Sequence, residues 1–291
     1  MHLVTFVHDG STRIGALQRR DGQQVVVDLS RAEPRLPADM IGFLAGGGES
    51  RALAARVLAD PPSEALLARA AVRLRAPIPR PGKIICIGLN YRDHAAESNA
   101  PLPEYPVVFA KYANTVIGPG DAIVLPRVTE QVDYEGELGV VIGTQVRDVP
   151  EAEALACVAG YLPVNDVSAR DYQMRTSQWT MGKTFDTFAP MGPALVTADE
   201  IPDPHNLSLR VTIGDEVLQD SNTRHLIFTI PQLIADLTKV MTLEPGDVIA
   251  TGTPAGVGSA RNPKRWLRAG ETVRVEIAGL GALENPVVAQ A

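Results

Sequence analysis

The apolar positions of this chain change period along its length. Residues 2–8, 13–18 and 24–28 carry short β-branched runs, and Asp-Gly pairs at 9–10 and 21–22 separate them as hairpin turns do. Two Ala- and Leu-rich segments follow, near 38–45 and 49–70, and their spacing predicts helices. Three prolines between 77 and 81 then fix the backbone and stop any helix from continuing. The pattern divides the chain into a small N-terminal α/β unit, residues 1–75, and a larger body, residues 80–291.

In the body the strand signals crowd together, at 83–87, 107–110, 122–125, 132–142, 158–165, 208–213, 247–251 and 271–278. Helical patterns are fewer and shorter, about 91–98, 150–157 and 230–241. GDAIVLP, GDVIATG and GETVRVEI each place a turn before a β-branched strand. With so few helices between strands, a doubly wound parallel sheet is not expected. The pattern predicts an α+β, mostly β fold.

The segment VDYEGELGVVIG, residues 132–143, joins an apolar strand to a run of acids. Side chains alternate on a strand, so Asp133, Glu135 and Glu137 share one face, and Tyr134, Leu138 and Val140 the other. Alternate carboxylates stand roughly 6.5–7 Å apart at the backbone and can converge on one ion. Gathering them without compensation is opposed by desolvation and mutual repulsion. Either the face is open to solvent or a cation sits there.

A second acidic element is NDVSARDYQ, where Asp166 ends a strand-like run. Arg170 and Gln173 follow at spacings that put all three on one side of a helical turn. Glu135, Glu137 and Asp166 together make an all-oxygen set, which suits Mg2+, Mn2+ or Ca2+ over zinc or copper. The same residues also fit a capped surface helix with an internal ion pair.

In NYRDHAAE, His94 and Glu97 lie three apart. On a helix they are neighbours, and the carboxylate would orient the imidazole and raise its basicity. A solvated helix with a chance contact is the plainer reading. Lys183 sits among Gly, Phe, Trp and Met in QWTMGKTFDTF; it either snorkels to water or polarises a substrate carbonyl. GDVIATGTPAGVG, residues 246–258, lacks the Gly-Lys-Ser/Thr ending of a phosphate loop. It reads as a plain turn, or as a loop offering backbone amides and the Thr253 hydroxyl to a carboxylate.

Composition narrows the classes. The chain has 291 residues, 45% hydrophobic and 21% charged, which is a packed globular balance. A net charge of -7 argues against a nucleic-acid partner, which needs clustered Lys and Arg. No GxGxxG opens a helix after a strand, so a nicotinamide oxidoreductase is not expected. Cys86 and Cys157 form no CxxC and read as buried, reduced thiols. The N-terminus lacks the basic start and apolar run of a signal peptide, and no run is long enough to span a bilayer. The expectation is a cytoplasmic protein without a membrane partner.

Taken in order, IGLNYRDHAAE, VDYEGELGVVIG, NDVSARDYQ with QW and GKTFDTFAPMGP, and GDVIATGTPAGVG resemble the fumarylacetoacetate hydrolase superfamily over about residues 80–260. The resemblance implies a mixed β-sandwich roll and a homodimer. It implies Mg2+ (or Mn2+, Ca2+) held at Glu135, Glu137 and Asp166. His94 and Glu97 would form a water-activating pair, Arg170, Gln173, Lys183 and Thr253 would line the substrate, and Lys183 would take part in catalysis. The activity it implies is hydrolysis of a C–C bond in a 2,4-dioxo acid, of acylpyruvate or fumarylpyruvate type, through a metal-bound enolate. Oxaloacetate tautomerisation or decarboxylation passes through the same enolate and is the alternative. A non-catalytic protein binding metal and a 2-oxo acid is the alternative of another class.

Overall fold

The computed structural model describes residues 1–97 and 101–291. Its largest element is an eleven-stranded mixed sheet. From one edge the strands run Leu66–Ala68, Gln23–Asp28, Ser11–Arg20, His2–His8, Leu195–Thr197, Val158–Asn165, Gly136–Ile142, Val248–Ala250, Ile84–Gly88 and Val107–Lys111, with Arg73–Leu74 paired beside His2–His8. Val248–Ala250 and Ile84–Gly88 are parallel, whereas Gly136–Ile142 is antiparallel to both its neighbours. A second sheet of five strands orders Glu216–Asn222, Ser208–Ile213, Thr272–Ile277, Gly281–Ala289 and Ile123–Leu125. The fold is α+β and mostly β, as the strand spacing predicts.

The strand Gly136–Ile142 is buried on both faces, and its period-2 pattern sorts its side chains. Leu138, Val140 and Ile142, with Tyr134 before them, enter a core shared with Val211, Val273, Val275 and Leu283 of the five-stranded sheet. Val141 faces the opposite way, toward Leu162, Val164, Leu3, Phe43 and Leu53. Gly136 permits the sheets to meet: a Cβ there would fall 2.3 Å from Val211. His2–His8 pairs with Leu195–Thr197, so the first 75 residues contribute strands to the large sheet and apolar side chains to its core.

Several elements depart from the sequence pattern for local reasons. The helix expected over 49–70 occupies only Gly47–Ala59. Asp60 is followed by Pro61 and Pro62, which forbid the next helical turn, and Leu66–Ala68 becomes an edge strand. The helix near 150–157 is a tighter 3-10 segment, Glu151–Cys157. The strand over 132–142 is broken into Val132–Asp133 and Gly136–Ile142, because the first piece pairs with Ser168–Ala169 instead of the large sheet. Asp166 is not on a helix; only Arg170–Gln173 is helical. The helix expected over 91–98 spans Arg92–Glu97, and residue 98 lies outside the described residues. The Ile230–Val240 helix is well started: Thr229 and Gln232 form a reciprocal capping box, and Pro231 sits in the first turn. Among the described residues no helix is long and apolar enough to cross a membrane.

Candidate active site

The acids are brought together by strand register. Gly136 pairs with Asn165, and one step beyond that pair the Asp166 amide donates to the Glu135 carbonyl at 2.8 Å. The Asn165 side chain accepts from the Glu135 amide at 3.0 Å. This doubled clamp sets Asp166 beside Glu135 where the ladder ends. Glu135, Glu137 and Asp166 each offer one carboxylate oxygen, and these oxygens lie within 4.8 Å of one another. All three residues are buried. Asp133, expected on the same face, does not join them. The strand break turns it toward the Gly258 and Ser259 amides, at 2.7 and 2.9 Å, and toward Arg170 Nε at 2.8 Å.

Three cations answer the acids, Lys183 and Lys111 buried and Arg170 partly so. Lys183 Nζ donates to Glu135 Oε2 and Asp166 Oδ2, both at 2.7 Å. Arg170 bridges Asp133 and Glu135 while donating to the Gln173 side chain at 2.9 Å. Lys111 donates to Asp166 Oδ1 and to the Val167 carbonyl. Burial alone would raise the Glu135 carboxyl, but the Arg170 and Lys183 charges overcome it and hold the group below the usual carboxylate range. Glu137 is the exception. Burial first, then the Asp166 and Glu135 charges, push its carboxyl well above the usual range, and its one hydrogen-bonded oxygen accepts from the Gly252 amide at 2.8 Å. These donors fit a divalent cation: they are hard oxygens, buried, convergent, and include a carboxylate whose charge the protein does not balance.

The Gly-rich loop does not present its amides to a vacant space. Gly252, Gly256 and Gly258 donate to Glu137, Glu97 and Asp133 respectively, so the loop holds the chain's own acids. The Thr253 hydroxyl lines the cavity but is engaged, donating to the Gly136 carbonyl and accepting from Gln219. His94 and Glu97 do form a pair, with Nδ1 and Oε1 2.7 Å apart, and His94 Nε2 is left for the cavity.

A cavity of about 610 Å3 opens onto this cluster. Its wall includes His94, Glu135, Glu137, Arg170, Gln173, Lys183 and Thr253, with Phe109 and Trp179 as the main apolar surface. Asp166 and Glu97 stand directly behind the wall, Asp166 against Lys183 and beside the other two acids, Glu97 against His94. Gly88 allows Trp179 in: a Cβ there would fall 2.3 Å from the ring. Every residue singled out in the sequence is thus at or directly behind one cavity. Lys111, Asn165 and Gln219 were not singled out. The signal that the sequence held for Lys111 is its phase, a lysine closing the run VVFAK on the same strand face as Val107 and Phe109.

The profile of the fumarylacetoacetate (FAA) hydrolase C-terminal family matches residues 83–288, a span that contains the whole cluster. The chain belongs to this family. It is 47% identical over 292 aligned residues to a Xenopus laevis protein named oxaloacetate tautomerase fahd2, mitochondrial, covering 99% of this chain and 90% of the frog protein. Among solved structures it resembles the 5-carboxymethyl-2-hydroxymuconate delta-isomerase of Mycobacterium smegmatis, at TM-score 0.79 and 35% identity over 100% of both chains. It also resembles the maleylpyruvate hydrolase of Sphingobium sp. SYK-6 in complex with manganese (II) ion and pyruvate, at TM-score 0.82 and 31% identity over 100% of both chains. Family relatives thus carry hydrolase, isomerase and tautomerase names. The expectation of a cytoplasmic protein does not stand: the frog protein and relatives from rat and human are named mitochondrial. A sequence without a secretory signal pattern leaves organelles reached by other routes open.

Proposed function

We propose that this chain is a divalent-metal-dependent tautomerase that interconverts the keto and enol forms of oxaloacetate or a close 2-oxo acid. The observation that carries the reading is the 47% identity, over nearly the full length, to a relative named oxaloacetate tautomerase. The assembled groups support it chemically. Tautomerisation moves a proton between C3 and the 2-oxo oxygen, so it needs a base near carbon and positive charge near oxygen.

Glu135, Glu137 and Asp166 would hold the cation, with Mg2+ the first choice and Mn2+ or Ca2+ the others for such a donor set. When bound, that ion supplies electrostatic stabilisation of charge developing on the 2-oxo oxygen. Lys183 Nζ, fixed between two carboxylates, adds a second positive charge on the same wall. Its pKa stands above that of an ordinary lysine: burial opposes the charge, but Asp166 and Glu135 outweigh it. It therefore acts as an ammonium and not as a base. His94 Nε2 is the group free to take the C3 proton and return one, while Glu97 fixes the ring through Nδ1. The apolar wall of Phe109 and Trp179 keeps the reacting carbons from bulk water.

A second reading is C–C hydrolysis of an acylpyruvate. The His94–Glu97 pair favours it, because the same Nε2 could take a proton from water. The likeness to the maleylpyruvate hydrolase supports it too. The deciding experiment follows ketonisation of enol-oxaloacetate by its ultraviolet absorbance, and pyruvate release from acetylpyruvate, each with Mg2+ and with EDTA. Metal-dependent ketonisation with slow pyruvate release is expected. Rapid pyruvate release without ketonisation would replace the first reading by the second.

A further inference from the structure

Apart from His94, the basic side chains lining the cavity among the described residues are Arg170, Lys183 and Lys264. The first two are committed: Arg170 to Asp133, Glu135 and Gln173, and Lys183 to Glu135 and Asp166. Lys264 has no hydrogen bond or ion pair among the described residues. Its ammonium stands 5.7 Å from the centroid of the Trp266 ring, which also lines the cavity. Asp171, the carboxylate nearest in kind on the wall, is tied to the Thr129 hydroxyl at 2.6 Å.

An exposed lysine is ordinarily a solvated charge. Lys264 differs in facing the cavity that contains the acidic cluster, with an aromatic ring to restrain it. With a cation held by Glu135, Glu137 and Asp166, the cluster would receive one end of a substrate, a carboxylate with its 2-oxo group. Phe109 and Trp179 offer apolar surface for the carbons that follow. A cation free of internal partners then suits a second anionic group at the other end.

We propose that Lys264 receives the distal carboxylate of the substrate and makes the cavity selective for 2-oxo dicarboxylates over 2-oxo monocarboxylates. This rests on the reading of the cavity as a 2-oxo acid site, though not on which reaction occurs there. Lys264 is a specificity residue and touches no reacting atom. Its ammonium gains a charge-assisted hydrogen bond from a diacid and nothing from a monoacid of the same length.

The test is calorimetric titration of the Mg2+-loaded full chain with 2-oxoglutarate and with 2-oxovalerate, which has the same five-carbon chain, in the wild type, Lys264→Met and Lys264→Glu. The wild type should bind the diacid about tenfold or more tightly than the monoacid, an order expected of a charge-assisted contact. Lys264→Met should erase that preference, and Lys264→Glu should reverse it, with monoacid affinity held in both. A wild type without preference, or a preference that survives both substitutions, overturns the assignment. If the preference is present and lost on substitution but oxaloacetate is not turned over, the tautomerase reading fails and Lys264 stands. If neither acid binds, the 2-oxo acid reading fails and takes the assignment with it. Because Lys264 is exposed, an unchanged melting temperature in the variants separates these outcomes from misfolding.

Discussion

The Gly256 amide donates to Glu97 Oε2 at 2.9 Å, while the other oxygen of the same carboxylate meets His94 Nδ1 at 2.7 Å. The base we propose, His94, is therefore oriented by a loop some 160 residues further along the chain. Gly256 has φ of +106°, and a Cβ there would fall 2.1 Å from the Leu218 carbonyl oxygen. Gly256→Ala should therefore lower stability by about 1–3 kcal/mol through backbone strain. It should also reduce kcat more than Glu97→Gln does, since it displaces the amide and the carboxylate together. Thermal melts and steady-state kinetics on both variants check this.

Removing a ligand should remove the metal. Glu135→Gln and Glu137→Gln are each expected to weaken Mn2+ binding by about 100-fold or more, judged against the 10–100-fold typical of losing only an outer partner. Titration calorimetry reads this without any assay of turnover. Unchanged affinity in both variants would defeat the ligand assignment.

Metal binding should also show as stability. A ligand at 100 times its Kd stabilises the folded state by about 2.7 kcal/mol. Added Mg2+ or Mn2+ should raise the melting temperature of the wild type, EDTA should reverse it, and Glu137→Gln should show no rise. A flat response in the wild type would argue that the acids are balanced by Lys111, Lys183 and Arg170 alone.

His94→Ala should divide the candidate reactions. Ketonisation and acylpyruvate hydrolysis both need a proton moved at Nε2 and should fall by about 10²–10⁴-fold, the usual size of a general acid–base contribution. Decarboxylation of oxaloacetate needs only stabilised charge on oxygen and should persist. Full ketonisation by the variant would assign the base elsewhere.

Lys111 is buried and paired to Asp166 on the side away from Lys183. Lys111→Met leaves an Asp166 oxygen and the Val167 carbonyl unanswered. Breaking a buried pair in this way costs about 3–5 kcal/mol. Denaturant melts should show the loss, and saturating Mn2+ should recover part of it by restoring positive charge beside Asp166.

We propose that the homodimer implied by the family resemblance is the working unit. Val107–Lys111 is an edge strand, and Val108, Tyr105 and Tyr112 on or beside it are exposed. An apolar open edge of this kind ordinarily needs a cover. Sedimentation should give twice the 31.1 kDa chain mass. Val108→Lys should shift the protein toward monomer if this edge is the contact.

The sequence carried the parts of the site that depend on neighbours along the chain. The His94–Glu97 step needs only a helical turn, and the Leu138 and Val140 face needs only strand alternation. What it could not carry was pairing across the fold. Asp166 meets Glu135 through a ladder register between strands, not through the helical spacing to Arg170 that its position suggests. The loop at 246–258 reads as a plain turn or as amides offered to a carboxylate, and only the fold shows that the carboxylates taking the Gly252, Gly256 and Gly258 amides are the chain's own, at residues 137, 97 and 133. The helix that stops at Ala59 is different: the Ala-Leu periodicity runs on to 70, but Pro61 and Pro62 are legible in the sequence and mark the end.

Gly88 sets the width of the cavity by what it lacks. The Trp179 ring rests where a side chain at 88 would be, so even a methyl group must drive the indole elsewhere. The bore of the site is thus governed by a residue with no polar contact to any acid in it. An alanine there would act as a caliper, re-gauging the chamber while leaving every charge untouched. Comparing short and long 2-oxo acids on Gly88→Ala would show which way the indole yields.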